Sequence, residues 1–240
     1  MWDRKEVKAT GKAAFKANYW KCILVALLLT ILAGGTARTA SSQAQSQINP
    51  DGSASVVDVT VNGSPVVLEE LPPEIMAAVG VSVLVISVIA IILRIFVFNP
   101  LKIGCYAFFK NNVLNPGAPL DTLMEGFKDY GNTFLTLLLT DIYTILWSML
   151  FIIPGLIKMY SYRLVPYILR DNPGLTANET ITRSRELMNG NKMKMFIYDL
   201  SFIGWILLDI FTLGIVGLFW VHPYKCSSDA ALYLAIRNEK

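Results

Sequence analysis

The chain is poor in the residues from which most enzyme sites are built. Among its 240 residues there is one histidine, His222, and there are three cysteines, Cys22, Cys105 and Cys226. A histidine-containing catalytic triad or a multi-histidine metal site therefore has no spare parts. The cysteines are odd in number, far apart and without a CxxC pair, so they read as small apolar residues in helices. No phosphate-binding glycine loop, GxGxxG, HExxH or GxSxG pattern occurs. Charge is also scarce, at 16% of residues, where soluble domains carry about 25%. The net charge of +3 is too small to argue for nucleic acid. These absences predict a chain without enzymatic chemistry, cofactor, metal or nucleic-acid partner.

What is abundant is apolar sequence. Hydrophobic residues make up 54% of the chain, and they come in long blocks with charges packed between them, which is the membrane pattern. The longest block, Phe196 to Tyr224, contains no Lys or Arg, and its acidic residues are Asp199 and Asp209. It reads as most of a membrane hairpin. The fold class predicted is all-α: a polytopic membrane bundle of about six segments in three hairpins, forming one integral membrane domain over 1–240, with cytoplasmic amphipathic helices.

In chain order, residues 3–17 read as an amphipathic helix with Asp3 as cap and Glu6 at N3. Lys5, Lys8, Lys12 and Lys16 form one stripe, and Val7, Ala14 and Phe15 lie off it. Such a helix would rest on an anionic leaflet; a solvated cytosolic helix is the alternative. Tyr19 to Ala33 is the first span, with Tyr19 and Trp20 as interfacial anchors. A cleaved signal peptide is its alternative, since small residues follow at Ala37 and Ala40, but the segment before it is long for an n-region. Residues 35–74 hold Arg38 against Asp51, Asp58, Glu69, Glu70 and Glu74, whereas residues 1–21 hold six basic residues. This asymmetry places the N-terminus in the cytoplasm and an inserted loop, 36–73, outside. Within that loop VVDVTV, Asn62-Gly63 and SPVVL read as a β-hairpin. Asn62-Gly63-Ser64 also matches a glycosylation sequon, a pattern too short to carry weight.

Ile75 to Phe98 is the second span, with Arg94 able to snorkel to the inner surface. Asn99-Pro100 breaks or kinks it, and LKIGCYAFFKNN continues as an interfacial stub. Asp121 to Tyr130 is a second amphipathic piece, with Leu123, Met124 and Phe127 on one side. Residues 133–169 have basic flanks, so they read as a hairpin with its tip near Pro154; one kinked span is the alternative. Thr176 to Asn189 is the third amphipathic helix, with a Thr176–Glu179 capping box and Asn189-Gly190 as its stop. Met195 to Phe211 then turns at Thr212-Leu213-Gly214, and the return helix runs past Pro223. Lys225, Arg237 and Lys240 put the C-terminus inside.

Three units share this plan: amphipathic helix, Asn junction, span, turn, and a return helix with a proline. The junctions are Asn18, Asn132 and Asn191, and the prolines are Pro100, Pro166 and Pro223. All three run in one sense, so the repeat would be parallel about an axis along the membrane normal. Any helical membrane protein can be cut into similar hairpins, which is the competing reading.

The segments NPLKIG, GFKDYGNTFLTLLL, IIPGLIKMYSYRLVPYIL, DNPGLTANETITRSRELMNGNK and LSFIGWILL…TLGIVGLFWVHPY resemble an uncharacterised bacterial polytopic membrane family, number nine hundred and seventy-five among the domains of unknown function. A weaker similarity is to the membrane portion of some glycerophosphodiester phosphodiesterases. The resemblance implies a bacterial cytoplasmic membrane protein. It carries over no functional residues, and the second similarity implies lipid association, not hydrolysis.

Ionisable residues inside a bilayer are costly and mark pairs or pathways. Asp141 lies in the third span, and Lys158 and Arg163 in its return partner, so a buried pair of Asp141 with Arg163 or Lys158 is predicted; an interfacial position without pairing and a polar pathway are the alternatives. Asp199 and Asp209 are the further polar intramembrane candidates; an interfacial position is the plain reading of both. Lys5, Lys8, Lys12, Lys16, Arg183 and Arg185 are candidate lipid-headgroup contacts. The function expected is a non-catalytic membrane module engaging anionic phospholipid or another membrane protein. The alternative is a small transporter or permease, with lipids as a candidate substrate.

Overall fold

The computed structural model describes residues 2–32, 59–61, 64–66 and 72–239. The chain divides into two compact units, residues 34–96 and the remainder. In the smaller unit, strands β1 (Val59–Val61) and β2 (Ser64–Val66) pair antiparallel, with Thr60 opposite Pro65. The hairpin read from the sequence is therefore present; its turn residues, the sequon asparagine among them, and most of the loop lie outside the described residues. Helix α3 (Pro73–Leu93) covers most of the stretch read as the second span and is mostly apolar in sequence. A π-helical stretch, Arg94–Phe98, follows it; the side chain of Arg94 is outside the described set.

The larger unit opens with α1 (Arg4–Ala17) and α2 (Tyr19–Thr30), bent by 107° at Asn18. Helix α4 (Asn99–Leu114) carries Pro100 in its first turn, where the missing N–H costs nothing. The chain thus passes Asn99-Pro100 by a change of helix type. Nor is the segment after it an interfacial stub: Ile103, Cys105, Phe108 and Phe109 are almost fully buried. Packed on α4 is a 3₁₀ helix, Leu120–Phe127. Its buried face is Thr122 and Gly126, while Met124 and Phe127 are exposed. A Cβ on Gly126 would collide with the Pro100 carbonyl, so the 3₁₀ helix approaches α4 closely enough to require glycine.

Helix α5 (Tyr130–Leu150) and helix α6 (Ile152–Tyr162) pack along each other, and the chain reverses at Phe151, three residues ahead of the expected tip. Pro154 sits in the first turn of α6, where it is tolerated. Helices α7 (Val165–Asp171) and α8 (Ala177–Met188) follow. The Glu179 carboxylate accepts the Thr176 backbone N–H and hydroxyl, both at 2.8 Å, as the capping box predicts. No such side-chain cap forms at Asp3. The expected helix over Met195–Phe211 is broken: α9 (Lys192–Leu200) and α10 (Ile203–Phe211) are separated at Ser201-Phe202. The turn at Thr212-Leu213-Gly214 is as expected, with Leu213 and Gly214 both left-handed, at φ 53° and 88°. A π-helical turn, Gly217–Val221, leads into α11 (His222–Glu239), which runs past Pro223 to the end.

The core lies where α1, α2, α4, α7 and α11 meet, around Phe15, Phe108, Phe109, Ile168, Phe202 and Tyr233. This changes the reading of α1. Its apolar residues Val7, Ala14 and Phe15 are buried, and α1 packs against α11, so that face is not available to a leaflet. Gly11 permits the approach: a Cβ there would stand 2.5 Å from Ser228 Cα. Ala177, Ile181 and Met188 of α8 are likewise buried, with α8 packed on α5, α6 and α7. Both helices are amphipathic because they cover a protein core.

Contacts among the three units form a ring. Asn18 Nδ2 donates to the Ala118 carbonyl at 3.2 Å, and Asn132 Nδ2 donates to the Leu175 carbonyl at 2.8 Å. Trp2 Nε1 donates to Asn191 Oδ1 at 3.0 Å. Each junction asparagine thus meets the residue leading into the amphipathic helix of the next unit, and the third returns to the first. Each amphipathic helix also packs on the return helix of the unit before it: the 3₁₀ helix on α4, α8 on α6 and α7, and α1 on α11. Termini remote in sequence therefore close the ring.

Candidate functional site

At the centre of the larger unit the return helices place three tyrosines together. The Tyr106 ring meets Tyr167 edge-on at 5.1 Å, and Tyr167 stacks on Tyr233 at 4.9 Å. Four residues before each tyrosine stands a charged group: Lys102, Arg163 and Asp229. Four residues after stands another: Lys110, Asp171 and Arg237. On a helix the spacing i, i+4, i+8 puts such residues on one face, so each return segment presents a charge, a ring and a charge inward. The motif is present in the sequence, but the proline alignment used above hides it.

The layer after the tyrosines is organised on Asp171. Its carboxylate accepts from Lys110, from Tyr233 at 2.5 Å and from Arg237 Nη1 at 2.6 Å. Burial by itself would raise the pKa of this acid; the hydrogen bonds from Lys110, Tyr233 and Arg237 outweigh it and hold the carboxyl below its usual range. Side-chain exposure is only 9% for Asp171 and 10% for Lys110.

The layer before the tyrosines joins a larger network. Arg163 reaches Asp199 with both guanidinium nitrogens, at 2.5 and 3.1 Å, and Asp229 at 3.0 Å. Lys225 Nζ donates to Asp199 at 2.9 Å and to Asp229 at 3.2 Å. Tyr160 and Tyr198 hydroxyls donate to Asp199 and Asp229, at 3.1 and 2.9 Å. Two cations and two anions therefore neutralise one another, with every member held by hydrogen bonds, which is the condition under which a partly buried ionic cluster is tolerated.

The predicted pairing is corrected accordingly. Arg163 is engaged by Asp199 and Asp229, and no Asp141–Arg163 or Asp141–Lys158 pair forms. Lys158 stands 4.4 Å over the Trp147 ring. Asp141 is exposed and has no hydrogen-bonding partner among the described residues. Asp209 accepts from the Gly217 N–H at 2.7 Å and lies 3.9 Å from His222. Lys225 and Asp229, missed in the sequence reading, were signalled by their i, i+4 spacing and by the tyrosine four residues on. Among the lipid-contact candidates, Lys5, Lys12, Lys16 and Arg185 are exposed and Arg183 is half-buried beside Glu186. Lys8 is half-buried: its ammonium donates to the Ser201 carbonyl at 3.0 Å and lies 4.0 Å over the Phe202 ring. It is committed to the protein.

Arg163 and Asp199 also form the inner wall of a cleft of about 400 Å³ that reaches Lys102, Thr140, Asp141 and Tyr160. Behind it, Arg163 and Tyr106 border a second cavity of about 40 Å³, which reaches Tyr167 and Asp229, room for a water or two. No group of three or more His, Cys, Asp or Glu suited to a metal occurs among the described residues.

These features define an all-α protein whose described residues include one helix, α5, long and apolar enough to cross a membrane, and a second if the bent α1–α2 pair is counted as one span. Residues 151–240 match the model of the family described as Protein of unknown function (DUF975), so the family resemblance read from the sequence holds over the stretch from α6 to α11. No curated protein and no solved structure matches the chain, and the similarity to glycerophosphodiester phosphodiesterases stands without support.

Proposed function

We propose that this chain is a multi-pass membrane protein, with three hairpins inserted from the cytoplasmic side, that acts without catalysis as a lipid-engaging module. The observation that carries the reading is the distribution of exposed apolar side chains. They run along α3, the α5–α6 pair and residues 203–219, and they include the two turns: Met149, Phe151 and Ile153 at the α5–α6 tip are 81%, 66% and 71% exposed, and Phe211 and Leu213 at the next tip are 85% and 92% exposed. The charged and tyrosine layers lie toward the opposite end of the same hairpins. Water would penalise such a surface heavily, at about 25 cal/mol per Å² of apolar area, and hydrocarbon removes the penalty. In this placement the upper part of α2, helix α3, the α5–α6 hairpin and residues 197–221 are embedded. The core of α1, α4, α7, α8 and α11 stays on the cytoplasmic side, and Lys5, Lys12 and Lys16 face anionic headgroups.

Topology is tested with single-cysteine variants made after replacing the three native cysteines. An impermeant maleimide added to intact cells is expected to label position 58 and to spare positions 12 and 183. Labelling of 12 or 183 with 58 spared would overturn the orientation. Lipid engagement is tested separately, by flotation of the purified chain with anionic vesicles. Replacing Lys5, Lys12 and Lys16 with Gln is expected to weaken flotation, at about 1 kcal/mol per lysine, and unchanged flotation would refute the headgroup contact. A small transporter is the second reading, favoured by the cleft that reaches Asp141; the neutralised Arg163–Asp199 wall at its inner end argues against a continuous path.

A further inference from the structure

The cleft between α4, α5 and α6 has chemistry that the anionic-surface reading does not use. Its charges sort into two sets. Arg163 and Asp199 are satisfied by each other and by Lys225 and Asp229. Asp141 remains, an exposed carboxylate midway along the apolar helix α5 with no hydrogen-bonding partner among the described residues. An uncompensated carboxylate at the edge of hydrocarbon is expensive, so a complementary cation is the natural occupant. The rings of Tyr106, Tyr160 and Tyr162 line the same cleft, and tyrosine faces add attraction for an ammonium group. Thr140 and Thr144 commit their hydroxyl protons to backbone carbonyls of their own helix, each at 2.7 Å. Toward the cleft they offer oxygen acceptors, which suit N–H donors.

A bare ammonium would not account for Lys102, which lines the cleft as well. Its ammonium has three donors and can serve a phosphate alongside any other partner. Leu137 and Met159 supply apolar wall beside these groups, fit for the start of an acyl chain. The volume, about 400 Å³, lies within the roughly 300–1,000 Å³ usual for small-molecule sites. We propose that this cleft binds the zwitterionic headgroup of an aminophospholipid, with its ammonium on Asp141 and the tyrosine rings and its phosphate on Lys102. The assignment rests on the membrane placement proposed above but not on the exposed lysines of α1.

The test uses the full chain, purified in a neutral detergent, delipidated and titrated with phosphatidylethanolamine or phosphatidylglycerol, with bound lipid counted by native mass spectrometry. One phosphatidylethanolamine is expected to bind in preference to phosphatidylglycerol. Asp141→Asn, which keeps the shape of the side chain, should weaken it roughly tenfold or more, and Asp141→Glu should retain most of it. The Lys5, Lys12 and Lys16 substitutions should leave it unchanged while they weaken vesicle flotation, which separates the two readings. Equal binding of phosphatidylglycerol, or an unaffected Asp141→Asn variant, would overturn the assignment. Dodecylammonium provides the free-amine arm. Its displacing bound phosphatidylethanolamine supports the ammonium site, whereas its binding in an Asp141-dependent way while phosphatidylethanolamine does not bind would overturn the headgroup.

Discussion

Replacing Asp171 with Asn should be among the most destabilising single changes in the larger unit. The carboxylate is 9% exposed and is the common acceptor for Lys110, Tyr233 and Arg237, which come from α4 and α11. Arg237 is 39% exposed and can turn toward water when its partner is lost. Lys110 is 10% exposed and cannot. The substitution thus leaves one buried cation without a counter-charge, which costs about 3–5 kcal/mol. For a chain of this size each kcal/mol moves the midpoint by roughly 2–4 °C, so Tm should fall by roughly 6–20 °C. Thermal unfolding in detergent micelles, followed by tryptophan fluorescence, measures it. Lys110→Met combined with Asp171→Leu removes both charges and should recover most of the loss, because an apolar replacement of a buried pair is close to neutral. The acid limb gives an independent check. The folded pKa of Asp171 is lowered, so its stabilisation is complete above the unfolded value of about 3.9 and is lost as pH falls through the folded value. Wild type should therefore lose stability below about pH 4 more steeply than Asp171→Asn. A Tm shift under about 2 °C in the single variant, or no recovery in the double, would refute the reasoning.

Other outcomes follow from single contacts. Arg163→Lys should destabilise the chain measurably in the same unfolding assay, because a lysine cannot reproduce the two-nitrogen grip on Asp199 together with the reach to Asp229. Gly126→Ala should cost about 1–3 kcal/mol, since its Cβ meets the Pro100 carbonyl; Gly204→Ala, with nothing within 4 Å, should be neutral or slightly stabilising. The Glu179 carboxyl is held below its usual range by the Thr176 backbone N–H and hydroxyl, so protection of the first turn of α8 in hydrogen exchange should persist above about pH 4.3 and fade as pH drops below it. Thr176→Ala should weaken that pH dependence.

The helical class and the hairpin turns were legible because they rest on local signals. Apolar blocks, the Thr176–Glu179 box and the Leu213-Gly214 turn each need only a few neighbouring residues. The apolar faces of α1 and α8 were legible too, but their destination was not. Val7, Ala14 and Phe15 give the same pattern whether the covering surface is a leaflet or α11, and only tertiary structure distinguishes them. The Asp141 pairing failed for a related reason. Proximity along one hairpin favoured Arg163, while Asp199 and Asp229 reach it from α9 and α11 with better geometry. The break at Ser201-Phe202 carried no glycine or proline signal; there Lys8 donates to the Ser201 carbonyl, a contact from a residue 193 positions away.

The repeat was visible in outline and misaligned in detail, and the misalignment has a physical origin. Pro100 begins α4, Pro166 begins the short α7, and Pro223 follows a π-helical turn. Proline marks where a helix starts, which differs among units whose inserted turns differ. The tyrosines instead mark where the three return segments meet, and that position is fixed by packing around a shared centre. Aligned there, the flanking charges fall into two sets, each of mixed sign: Lys102, Arg163 and Asp229 in one, Lys110, Asp171 and Arg237 in the other. Three equal charges in either layer would repel at close range. A repeat closed into a ring around a buried charged layer therefore cannot keep its units identical at those positions, and the charges that break the repeat are the ones that bind it together.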